Sequence, residues 1–250
     1  MSANDYLRGV IAKYRGDSLR ARSAASDLRP VIDQWGGAYL LGATFSGSIA
    51  KGTAISLGSD ADVFLSLTST TPNTLAQIYE SLFTAFSQAG YAPRRQNVSI
   101  GVFHQGCKID LVPGKRQSQY GNDHSLYRSK ASTWTKTDVV AHVNKVANSG
   151  RLDEIRLIKI WKHLHNLEFP SFYLELAVIR ALYGARAGSL NSNLQTIFEY
   201  LSGNIVSDIF IDPANSNNRI SDDLSISEKL QISNNARASA KSTTWGTVVW

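Results

Sequence analysis

Residues 61–67, ADVFLSL, and 107–113, CKIDLVP, each set an aspartate inside a run with the apolar pattern of a buried strand. A chain carrying them must build a sheet, and that sheet must accommodate acids. Asp60 and Asp62 stand two apart, which on a strand points both to one face. Like charges that close are costly without a counter-charge. A solvated edge strand is one account of the pair. Asp110, flanked by Ile109 and Leu111, faces away from both of these apolar neighbours. If its strand lies beside the first in one sheet, three carboxylates can converge. Such a set of hard oxygen donors suits Mg²⁺, with Mn²⁺ as a substitute.

The rest of the chain narrows the setting. Its 250 residues suffice for one large domain or two small ones with a real core. Among them Cys107 is the one cysteine, which excludes an internal disulfide framework and a multi-cysteine zinc site. No run of 18 apolar residues is present, so no membrane partner is expected. The first residues show no signal-peptide pattern, and a cytoplasmic location is the expectation. A net charge of +6 favours a polyanionic partner, nucleoside triphosphate or nucleic acid, although solubility alone also explains it.

Hydrophobic periodicity predicts helices over 4–15 and from 18 to about 34, then a strand over 38–45. A helix follows from Pro72 to about Gln88. A hairpin is expected from NVSIGVFH and CKIDLVP about the turn at Gln105-Gly106. Beyond Ser125 strands are expected to give way to helices. TWTKTDVVAHVNKVANSG reads as a turn and a helix, and further helices fall at 151–167, after Pro170, at 193–202 and at 223–242. IDPANSNNRISDD reads as a polar loop, and Cys107 as a core residue. The closing TTWGTVVW is expected to pack onto the body.

Two further features bear on chemistry. Gly47-Ser48 sits between an apolar strand and a small-residue segment compatible with helix. Backbone N–H groups and a hydroxyl at such a turn can cradle an anion, and glycine lets it come close; an ordinary turn is the alternative. Lys159, Lys162 and His163 share a helix face, where a lysine can meet phosphate as a point charge or simply face solvent. Basic stretches at 92–96 and 114–130, with interleaved tyrosines, suit either solvated loops or a groove for RNA.

The order Gly47-Ser48, an eleven-residue gap, Asp60-Ala61-Asp62 and a distant Asp110 resembles the polymerase-beta-type nucleotidyltransferases. GSIAKGTAISLGSDADVFLSL is most similar to the branch holding cyclic GMP-AMP synthase, 2′-5′ oligoadenylate synthetase and the bacterial CD-NTase-like enzymes. CKIDLVP resembles that branch's third-acid strand, PSFYLEL its Ser-aromatic-x-Leu-Glu motif, and IDPANSNNRISDDLS its Asp-Pro loop. The resemblance implies an α+β fold: an N-terminal mixed β-sheet core with flanking helices over 1–125, and a helical domain over 126–250 that closes the nucleotide cleft. It implies that Asp60, Asp62 and Asp110 hold two Mg²⁺ ions. Gly47 and Ser48 would hold the outgoing phosphates, Lys159 and Ser171 the triphosphate tail, and Phe172 would stack on a base. Relatives often carry tyrosine at that last position, so the hydroxyl is missing here. The implied function is template-independent joining of nucleoside triphosphates into a short or cyclic oligonucleotide second messenger, in bacterial antiphage signalling. The alternatives are nucleotide addition to an RNA 3′ end, and a catalytically silent nucleotide- or RNA-binding module.

Overall fold

The computed structural model describes residues 2–58, 60–186 and 189–250. These divide into two compact units that interleave in sequence. One comprises Asp17–Lys51 and Ser59–Val143; the other comprises Met1–Gly16, Gly52–Gly58 and Asn144–Trp250.

The first unit is built on a mixed seven-stranded sheet. Its strands are β1 (Leu40–Phe45), β2 (Ala61–Leu67), β3 (Arg94–Arg95), β4 (Ile100–His104), β5 (Cys107–Arg116), β6 (His124–Arg128) and β7 (Thr133–Thr137). The order is β1-β2-β5-β4-β3, and β6 joins the far end of β5 and pairs in turn with β7. β2 and β5 run parallel; every other pairing is antiparallel. A parallel pair needs a long crossover. Here the crossover contains the Leu75–Gln88 helix, which a Thr74/Gln77 capping box starts and which packs Ile78, Tyr79, Leu82 and Phe86 inward. β2 buries Ala61, Val63, Phe64, Leu65 and Leu67, as a central strand covered on both faces must.

Three expectations need correction in this unit. The second predicted helix is two, Ser18–Ser26 and Arg29–Gly36, because Pro30 fits only the first turn of a new helix. Strands continue past Ser125, as β6 and β7. TWTKT is polar on alternate positions and leaves Trp134 56% exposed, so an edge strand passed for a turn. Cys107 is half-buried and unpaired rather than a core residue.

The second unit is mostly helical. Its main helices are Ala3–Lys13, Leu152–Leu164, Ser171–Ala181, Leu190–Asn204 and Ile226–Ala240. Trp161, Phe169, Tyr173, Phe198 and Phe210 anchor one continuous core, and the closing Val248 and Val249 are buried in it. The predicted polar loop holds a small hairpin, Ile211–Asp212 with Asn215–Arg219. The Asp212 carboxylate makes it, accepting from the Ala214 amide at 2.8 Å and the Asn218 side chain at 3.0 Å.

Candidate active site

Register decides where the acids meet. In the parallel pairing of β2 with β5, Ala61 stands opposite Ile109, Asp62 opposite Asp110 and Val63 opposite Leu111. Hydrogen-bonded strands lie about 4.8 Å apart, so Asp62 and Asp110 are immediate neighbours. Asp60 is not a strand residue, since β2 begins at Ala61; it sits on the approach to the strand, half-buried. Its charge nevertheless reaches Asp110. Burial pushes the Asp110 carboxyl above its ordinary value, and the Asp60 charge adds to that rise. A hydrogen bond from Gln96 and the charge of Lys108 pull the other way.

The Gly47-Ser48 turn is fixed against the same strand. β1 pairs antiparallel with β2, and the Ser46 amide donates to the Asp62 carbonyl at 2.8 Å. Gly47 then takes φ +55° and opens the short Gly47–Lys51 helix. Glycine is required here twice over. Its φ is left-handed, and a Cβ would lie 1.7 Å from Asp62 Oδ2. The Asp62 carboxylate therefore rests directly against the Gly47 backbone, with Ser48 half-buried one residue on.

Asp110 has a second neighbour that sequence reasoning missed. Gln96 Nε2 donates to Asp110 Oδ1 at 2.7 Å. It does so across Gly101, which pairs with Asp110 in β4, and a Cβ there would stand 2.6 Å from Gln96 Nε2. The legible signal was Gly101, a lone glycine inside an alternating strand pattern, which often marks a close approach.

Among the described residues, no three His, Cys, Asp or Glu side chains stand gathered closely enough to hold a metal ion by themselves. What the chain supplies is a neighbouring pair, Asp62 and Asp110, and a third acid within electrostatic reach of Asp110. That donor set fits Mg²⁺, which binds through a few carboxylates together with substrate phosphates rather than in an all-protein cage.

Lys159, Ser171 and Phe172 belong to the helical unit. Lys159 is 4% exposed; its ammonium lies 2.6 Å from Glu175 Oε1 and 2.9 Å from Thr53 Oγ1. Glu175, fully buried, also accepts from Thr53 at 2.9 Å. Lys162, on the same helix face, donates to the Phe169 carbonyl at 2.9 Å. Ser171 is exposed at the first position of its helix, and Phe172 packs partly against the helical core.

No family model matches the chain. The cyclic AMP-AMP-AMP synthase of Escherichia coli (strain MS 115-1) is 26% identical over 176 residues, 62% of this chain. The match takes in 55% of that protein, so the chain spans about half the length of this curated relative. Among solved structures, the CD-NTase CdnG of Bradyrhizobium diazoefficiens, in complex with GTP, superposes with a TM-score of 0.79 at 14% identity, over 95% of this chain and 90% of that one. The chain has the nucleotidyltransferase fold. Its likeness to bacterial CD-NTases, in sequence and in fold, bears out the resemblance carried by the Gly47-Ser48 turn and the three acids. The nucleotidyltransferase fold is broader than one product: the Cid1 poly(U) polymerase, bound to MgATP, superposes with a TM-score of 0.72 at 12% identity, over 95% of this chain and 93% of that one.

Proposed function

We propose that this protein is a template-independent nucleotidyltransferase that joins nucleoside triphosphates into a short or cyclic oligonucleotide signal, in bacterial antiphage defence. The observation that carries the reading is the in-register meeting of Asp62 and Asp110, beside a glycine whose backbone touches the Asp62 carboxylate. Two carboxylates side by side on central strands, one of them raised by burial and further by the Asp60 charge, are a cost to folding, and a cation-dependent reaction is a reason to hold them there. The signalling part rests on the likeness to CD-NTases, one of them a cyclic AMP-AMP-AMP synthase.

In this reading Asp60, Asp62 and Asp110 hold two Mg²⁺ ions, or Mn²⁺ in their place. When bound, the metal neutralises the triphosphate and makes the attacking hydroxyl more acidic. The protein's own groups do the rest. Gly47 and Ser48 receive the phosphates, the glycine by letting them approach the backbone and the serine by its hydroxyl. Asp110, drawn toward its protonated form by burial and by Asp60, is suited to take the proton of the attacking hydroxyl. Lys159 and Ser171 are assigned to the triphosphate tail and Phe172 to a base face. For Lys159 that role competes with its buried pairing to Glu175.

The product separates this reading from RNA tailing, the activity that the likeness to Cid1 favours. The protein is incubated with labelled triphosphates and Mg²⁺ or Mn²⁺, with and without RNA. Small labelled oligonucleotides formed without RNA support signal synthesis. Label found solely on RNA supports tailing and overturns the signalling assignment. No product, with nucleotide binding indifferent to Asp60→Asn, leaves a binding module.

A further inference from the structure

Gln96 is exposed, yet its main chain is pinned on both sides. Its carbonyl accepts from the Tyr79 hydroxyl at 2.6 Å and from Ser129 Oγ at 2.7 Å, and its amide donates to the Ser99 carbonyl at 3.0 Å. The side chain is oriented as well. Ser99 Oγ donates to Oε1 at 3.1 Å, which turns Nε2 toward Asp110 Oδ1 at 2.7 Å. An ionised carboxylate only accepts, so the amide nitrogen is the end that must face it. Gly101 leaves the path between the two side chains open.

We propose that Gln96 is a positioning residue: it holds Asp110 Oδ1 so that the other carboxylate oxygen is left for the cation shared with Asp60 and Asp62. Tyr79, Ser99 and Ser129 form the frame that keeps Gln96 in place. This rests on the three-acid reading above. Partners that orient a metal-binding carboxylate typically matter by about 10- to 100-fold in metal affinity or activity.

The test is Mn²⁺ titration, followed by the electron paramagnetic resonance of free Mn²⁺, in the presence of a non-hydrolysable triphosphate. Gln96→Met keeps the length and removes both the donor to Asp110 and the acceptor of the Ser99 hydroxyl. It is expected to bind Mn²⁺ about tenfold more weakly while still unfolding in a single cooperative transition. Ser99→Ala keeps Gln96 but frees its amide to turn, and is expected to show a smaller loss in the same direction. Asp110→Asn is the control and is expected to lose this Mn²⁺ site. Wild-type Mn²⁺ affinity in Gln96→Met, with Asp110→Asn impaired, overturns the role of Gln96 and leaves the acids standing. A lower melting temperature with unchanged affinity makes Gln96 a structural residue and overturns the proposal too. Wild-type affinity in Asp110→Asn overturns the three-acid reading itself.

Discussion

Gly47 is the residue with the least freedom to change. Alanine there meets both a left-handed backbone and the Asp62 carboxylate at 1.7 Å, so the carboxylate or the turn must move. A shift of about 1 Å in a reacting group can cost 100-fold in rate. Gly47→Ala is expected to lose at least about that much in kcat/KM, with a near-native circular dichroism spectrum. Asp110 gives the opposite sign in stability. Its carboxyl is raised above the ordinary 3.8 in the native protein, by burial first and Asp60 second. The native state therefore keeps this proton to higher pH than the unfolded chain does, and stability falls as pH rises from that ordinary value through the raised one. At neutral pH the ionised group is a net cost. Asp110→Asn is expected to raise the melting temperature at pH 7.5, to flatten its fall with pH in that window, and to abolish nucleotidyl transfer. An unchanged or lower melting temperature contradicts this account of its surroundings. The acids and the glycine were legible in the sequence because each breaks a local pattern. Gln96 was not: it lies 14 residues from Asp110, and nothing local reports that register.

At the scale of elements, the parallel pairing of β2 with β5 and the buried Lys159–Glu175 pair carry the argument. The second makes a clear test. Removing one partner of a buried ion pair leaves an uncompensated charge, at a cost of about 3–5 kcal/mol. If pairing is the main work of Lys159, Lys159→Met lowers stability by about that amount, and adding Glu175→Met recovers much of it. If Lys159 also serves the triphosphate, the double variant regains its melting temperature while KM for the nucleotide stays raised. Chemical denaturation and steady-state kinetics on both variants separate the two roles. The helix face of Lys159, Lys162 and His163 was readable from spacing alone. Their commitments to Glu175, Thr53 and the Phe169 carbonyl were not, because those partners lie on other segments.

At the scale of the whole molecule, the sequence showed the kind of fold better than its extent. Apolar strands around aspartates, a capped amphipathic helix between them and an apolar helical stretch after Pro170 all carry strong periodic signals. β7 did not, because an edge strand need bury little to be held by its ladder. The interleaving of the two units was also beyond local reading. Residues 52–58 fall between the Gly47 turn and Asp60 in sequence, yet they cluster with the helical unit. There the Gly52 carbonyl accepts from Arg156 at 2.6 Å, and Thr53 from Lys159 at 2.9 Å. Breaking the first of these by Arg156→Ala is expected to increase proteolytic cleavage within 52–58, with fragment mass spectrometry as the readout. An unchanged cleavage pattern contradicts that anchoring role.

What the three acids do when the substrate arrives decides whether this is a cation-dependent nucleotidyltransferase. Crystals grown with Mn²⁺ and a non-hydrolysable triphosphate, measured at a wavelength where manganese scatters anomalously, test this directly. The expected map has manganese peaks in contact with carboxylate oxygens of Asp62 and Asp110, with Asp60 completing the set and triphosphate oxygens as further ligands. A bound triphosphate with no manganese at these carboxylates, or manganese held elsewhere in the chain, contradicts it.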